Sequence, residues 1–124
     1  LEKSEITDSD LEGIEMMEWA EQLQWLFLQD TQVTDSGIVH LKHLTALQLL
    51  NLESTLITDA GVEHLKVFAG VVYLDLTGTR ISDAGLVHLA ELKELVFLSV
   101  KRTEVTAEGV AALRRELPNC LIAR

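Results

Sequence analysis

The sequence predicts an α/β solenoid, with a parallel β-sheet on its concave face and helices on its convex face. Three observations carry that reading. The segments "LQWLFLQDTQV" (23–33), "LQLLNLESTLI" (47–57), "VVYLDLTGTRI" (71–81) and "LVFLSVKRTEV" (95–105) begin 24 residues apart, with no insertion between them. Within each unit the apolar spacing changes from that of a strand to that of a helix. The phrase "VTDSGIVHLK" (33–42) returns as "ITDAGVEHLK" (57–66) and "ISDAGLVHLA" (81–90). One strand and one helix cannot bury both their faces alone, so neighbouring units must stack.

Taken in order, residues 1–22 read as a degenerate first unit that forms a capping helix. "ITDSDLEGI" echoes "VTDSGIVHL", but the segment after it is three residues longer before Leu23. Leu11, Ile14 and Met17 are expected to cover the core of the first strand. Four repeats then fill residues 23–118. In the first strand Leu26 and Leu28 share one face, while Trp25, Phe27 and Gln29 point the other way. Helical spacing follows at Ile38, Leu41 and Leu44, again at Val62, Leu65 and Phe68, and again at Leu86, Leu89 and Leu92.

Each helix begins at a capping signal. Thr58 or Asp59 supplies an N-cap oxygen, and the acid also suits the positive end of the helix; Thr34/Asp35 and Ser82/Asp83 are equivalent. Gly37, Gly61, Gly85 and Gly109 each cost about 1 kcal/mol relative to alanine inside a helix. Their common position predicts a close approach between adjacent turns where a Cβ would not fit. Gly78, in the loop before Thr79, is expected to tolerate a side chain better. Thr31, Thr55, Thr79 and Thr103 are expected to hydrogen-bond backbone groups where each strand turns into its loop. Pro118 stops the last helix, and residues 119–124, with Cys120 and Ile122, are read as a short capping strand. Cys120 is expected to be a buried hydrophobe rather than a nucleophile. The solenoid is expected to be capped at both ends.

The units, spelled LxxLxLxxTx(V/I) and then (T/S)DxGxxHLxxL, resemble those of bacterial leucine-rich repeat proteins of the type common in planctomycete genomes. They are also similar to the GLxxL-type repeats of eukaryotic F-box proteins, although no F-box-like segment is present. The resemblance covers about residues 6–122. It implies a right-handed leucine-rich repeat solenoid that works by recognition rather than catalysis, and it carries over no particular binding residues.

Composition narrows the function further. A net charge of −10 excludes the basic surface that nucleic acid binding needs. No apolar run approaches the ~18 residues required to span a membrane. The charge is uneven: residues 1–22 carry eight acids against Lys3, whereas residues 101–124 carry five basic residues against three glutamates. That asymmetry admits one alternative function, a structural module assembling head to tail through its charged ends. The single cysteine cannot form an internal disulfide. The sequence starts at Leu1 without methionine, so the compartment stays open between cytoplasmic and periplasmic or secreted.

No catalytic or cofactor motif is present, and no cofactor is expected. His40, His64 and His88 recur every 24 residues, but stacked helices ~8–10 Å apart cannot bring them to one ion at ~2 Å per ligand. His40 and His43 lie three apart with no third ligand, so the histidines are read as spacers or hydrogen-bonders. Asp30, Glu53 and Asp75 are able to share the concave face, yet a shallow sheet excludes little water and no nucleophile–base pair is visible. No enzyme is expected.

The concave face carries the functional expectation. One strand position reads Trp25, Leu49, Tyr73, Phe97; the next outward position reads Phe27, Asn51, Asp75, Ser99; the third ends at Lys101. Four of the six aromatic residues in the chain fall on this surface, in slots that face water. β-Propensity explains aromatics in strands but not on the solvent side. These residues are expected to bind a protein or peptide, with the chain acting as a monomer. A carbohydrate-binding surface built from the same aromatics and carboxylates is the further alternative.

Overall fold

The computed structural model describes residues 5–124; Glu2 and Lys3 of the charged N-terminal stretch lie outside the described residues. Helix α1 (Asp8–Ile14) precedes strand β1 (Trp25–Phe27). Then come α2 (Asp35–Ile38), β2 (Leu49–Asn51), α3 (Asp59–Leu65), β3 (Tyr73–Asp75), α4 (Asp83–Leu86), β4 (Phe97–Ser99), α5 (Ala107–Glu116) and β5 (Leu121–Ala123). The strands form one open parallel sheet in the order β1-β2-β3-β4-β5. Each pairs with the next at a spacing of 24 residues, Trp25 with Leu49, Leu49 with Tyr73, Tyr73 with Phe97 and Phe97 with Leu121. The fold is therefore the α/β leucine-rich repeat solenoid that the repeats predict. Among the described residues, no helix is long and apolar enough to cross a membrane.

The core is a stack of equivalent slots. Leu50, Leu74, Leu98 and Ile122 point inward from the strands, and Leu28, Leu52, Leu76 and Val100 line the next inward row. From the helical side come Ile38, Leu41 and Leu44 and their counterparts in the next two units, all buried. After each of the first four strands the backbone enters a left-handed turn, at Asp30, Ser54, Gly78 and Arg102 in order. The amides of Asp30, Ser54 and Gly78 extend the inter-strand ladder by donating to the carbonyls of Glu53, Thr77 and Lys101 at 2.8–2.9 Å. Thr31, Thr55, Thr79 and Thr103 close these turns, each hydroxyl donating to the carbonyl three residues earlier at 2.6–2.8 Å.

Units are coupled on the helical side by an aspartate ladder. Thr34, Thr58, Ser82 and Thr106 are the N-caps, their hydroxyls accepting from a backbone N–H in the first turn. The aspartate after the cap reaches forward to the next unit instead. Asp8 accepts from the Thr34 amide at 2.8 Å, Asp35 from Thr58 at 2.7 Å, Asp59 from Ser82 at 2.7 Å and Asp83 from Thr106 at 2.8 Å. The second oxygen of each aspartate accepts from the same residue's hydroxyl. The repeated glycine exists because of this carboxylate. A Cβ at Gly61 would lie inside van der Waals contact with Asp35 Oδ1 and 3.0 Å from its Cγ, and Gly37, Gly85 and Gly109 meet Asp8, Asp59 and Asp83 in the same way.

Two expectations need correction. The expected capping helix stops at Ile14, and Met17 is 47% exposed rather than buried. The three extra residues loop out before Ala20, which is buried 24 residues ahead of Leu44 and fills the slot assigned to Met17. Gly78 is not a tolerant site, because its φ of +70° is one that side chains disfavour and a Cβ would meet Ser54 Oγ at 3.1 Å. Segment 119–124 contains the short strand expected there, β5, which pairs with β4 at the same 24-residue spacing.

The ladder predicts the cost of breaking it. Asp35→Ala leaves the Thr58 amide and hydroxyl without their acceptor, and should destabilise by about 2–3 kcal/mol in urea unfolding. Gly61→Ala should destabilise by about 1–3 kcal/mol, since the carboxylate it displaces is anchored. Gly13→Ala, in a helix with nothing within 4 Å of the new Cβ, should be neutral or stabilising by up to ~1 kcal/mol.

The last rung also makes stability depend on pH. The Thr106 hydroxyl, then its amide, hold the Asp83 carboxyl below the usual carboxylate range, with Arg124 adding to the effect against some desolvation. The folded state thus binds this proton less readily than the unfolded chain. Its contribution is present above the ordinary carboxylate pKa and is lost as pH falls through the depressed one. Thr106→Val should raise the Asp83 titration midpoint by NMR and reduce acid sensitivity.

Candidate functional site

Strand parity and parallel pairing bring the predicted residues together on the concave face. Trp25, Leu49, Tyr73 and Phe97 lie in one row, each opposite the next across the sheet. Pairing adds a member that sequence reasoning missed, Leu121, opposite Phe97. The signal was there, since 121 is again 24 residues beyond 97, but the degenerate phrase "CLIAR" hid it. The row is most open at its ends, where Trp25 is 63% and Leu121 67% exposed, with Leu49, Tyr73 and Phe97 half-buried between them. The Tyr73 and Phe97 rings stack with centroids 4.8 Å apart and planes 21° from parallel. Spacings of ~4.8 Å between strands give the row a length of about 19 Å.

The second row is more varied. Phe27 is exposed, and Asn51 and Asp75 are half-buried. Both polar residues use an oxygen to hold their own turn: Asn51 Oδ1 accepts from the Glu53 amide and Asp75 Oδ1 from the Thr77 amide, each at 2.9 Å. Ser99 is a correction. It is only 4% exposed, and its hydroxyl lies 2.6 Å from that of Thr77, so this short side chain lies beneath the face instead of presenting itself on it. Lys101 is exposed, as expected.

Glu53 and Asp75 face a hollow of about 380 Å³, bounded also by Tyr73, Phe97, Lys101 and Arg102. Of the three acids considered for this face, Asp30 does not line the hollow. Partial burial, then the negative charges of Asp75 and Glu53, push the Tyr73 phenol above its ordinary pKa. Arg102, which the sequence did not single out, sends its guanidinium to Glu53 Oε1, 3.3 Å away and 49 residues earlier. The convex histidines are placed otherwise: His40 Nδ1 faces Glu15 Oε1 at 2.5 Å. Cys120 is buried, and burial pushes its thiol pKa up, the opposite of an activated nucleophile.

Comparison with known proteins agrees with this architecture. A family model described as Leucine Rich repeat matches residues 71–90. No curated protein matches. Among solved structures, a Leptospira interrogans LRR protein superposes with a TM-score of 0.64 at 18% identity, covering 82% of this chain and 25% of its own. An internalin from Listeria monocytogenes superposes with a TM-score of 0.69 at 25% identity, covering 83% of this chain and 28% of its own. The chain thus spans about a quarter of the length of either. Fold, repeat phrase and likenesses together define a leucine-rich repeat protein. Within that class, the solved structures it resembles here are both bacterial.

Proposed function

We propose that the chain is a monomeric, non-enzymatic module that binds an extended peptide, or an extended segment of a partner protein, on its concave sheet. The observation that carries this is the unbroken row from Trp25 to Leu121, apolar at every one of its five strands and most exposed at its two ends. A row of about 19 Å matches five or six residues of extended chain at ~3.4 Å each. Apolar side chains held in water by a rigid sheet lose little on folding and gain on association, which is the pattern of interface hot spots.

The alternative of head-to-tail assembly draws no support from the aspartate ladder. At one end Asp10 already accepts from the Thr7 amide at 2.8 Å, the place a preceding unit's aspartate would take. At the other, Ala107 stands where the forward-reaching aspartate would be.

The reading is tested by selecting peptides from a displayed random library with the intact chain as bait. The half-buried Tyr73–Phe97 stack contributes to folding, so the discriminating variants are those at the open ends. Trp25→Ala with Leu121→Ala should keep the melting temperature within a few degrees. It should weaken a selected peptide by about 30-fold or more, the loss expected from even one hot-spot side chain. His64→Ala with His88→Ala, on the helical side, should leave binding unchanged. If the helical variant loses the peptide and the concave variant keeps it, the binding face is convex. Selection of glycans but no peptides would favour the carbohydrate alternative.

A further inference from the structure

The hollow above Tyr73 and Phe97 contains a clue to what the bound peptide carries. Arg102 reaches it from the fourth repeat, over the third, to a carboxylate of the second. The path is open because the intervening turn residue is Gly78, which has no side chain between Ser54 and Arg102. One feature marks this arginine as a weak occupant. Its side chain is 69% exposed, and its single ion pair, at 3.3 Å, lies in solvent that screens it.

The walls offer more than Arg102 uses. Among the described residues, Asp75 Oδ2 makes no hydrogen bond, its partner Oδ1 being held by the Thr77 amide. The stacked Tyr73–Phe97 pair adds aromatic surface to the hollow that the two carboxylates and Lys101 also line. A planar guanidinium satisfies both kinds of wall, since it forks onto carboxylate oxygens and lies flat on an aromatic ring. Partial burial first, and then the charges of Asp75 and Glu53, raise the Tyr73 phenol in this hollow. Lys101, on the β4 side, confines a ligand cation to the Glu53–Asp75 side and leaves a place for a ligand acid beside it.

We propose that this hollow receives an arginine side chain of the bound peptide, and that Arg102 holds the rim in the free protein until that arginine displaces it. The proposal rests on the concave-face reading above and names the chemistry of its partner: an extended segment with an arginine set against Asp75 and Glu53.

The test is an NMR titration of the intact chain with N-acetyl-arginine-N-methylamide and with its citrulline counterpart, equal in shape but uncharged. The arginine compound should shift the Tyr73 and Phe97 ring signals and the Gly78 amide, and the citrulline compound should not. Arg102→Gly removes the competitor and places glycine where Gly78 shows it to be suited, so binding should tighten several-fold. Asp75→Asn should weaken it about tenfold, the loss of one charge-assisted bond. That variant is expected to fold, because Asn51 makes the equivalent turn one repeat earlier. Equal binding of citrulline, unchanged or weaker binding by Arg102→Gly, or shifts confined to the acidic α1 region would each overturn the proposal. Peptides captured through Trp25 and Leu121 with no preference for arginine would sink this subsite alone. Arginine bound in the hollow with no peptide captured would instead sink the interaction reading and keep the subsite.

Discussion

A carboxylate that serves the next unit instead of its own sets the geometry of this molecule. Each of Asp8, Asp35, Asp59 and Asp83 begins a helix, and each spends both oxygens on the N-cap residue that follows one repeat later. Two charge-assisted bonds fix the distance and the rotation between neighbouring helices. The glycine two residues beyond each of the last three aspartates is the space into which the previous carboxylate fits, and Gly109 repeats it in α5. Aspartate, cap and glycine are thus one device written across two repeats. The short helices that hold it, of only four residues at α2 and α4, would not persist alone.

Regular stacking on the helical side has its consequence on the other. With helices spaced by the ladder, the strands meet at a constant 24-residue spacing, and the threonine-closed turns return the chain at the same height each time. Any strand position is then repeated as a straight row across the sheet. Leucine fills the inward rows because they are dry. The outward rows are free to differ, and there aromatics, an amide, carboxylates and a lysine appear in place of the repeat's uniform chemistry. Variation confined to one face of a rigid scaffold is how a repeat protein separates recognition from stability.

The first and last of the described units vary the device. Asp10 stands where later units have glycine, and its carboxylate accepts from the Thr7 amide. Ala107 ends the series at the other side, with Arg124 donating to the Val105 carbonyl at 3.3 Å. The same irregular stretches misled the reading of single residues. Met17 has helical spacing from Ile14, but three inserted residues move its slot to Ala20.

Spacing and parity alone determined the solenoid, its unit length, the buried leucines and the row of Trp25, Leu49, Tyr73 and Phe97, because a repeat places equivalent residues in equivalent surroundings. What depends on contacts between units was not legible in that way. The choice between hydroxyl and aspartate as each helix cap stayed open because the sequence shows neighbours in the chain and not partners 23 to 26 residues away. Ser99 read as outward by parity, and only packing shows that the Thr77 hydroxyl and the surrounding side chains cover it. Leu121 joins the row because its strand, whose own sequence had drifted, hydrogen-bonds to β4. Arg102 acquires a role only because three turns stack and the middle one is Gly78. Local pattern fixes where a backbone goes, while the final surroundings of a long or polar side chain are set by what the neighbouring turns bring to it.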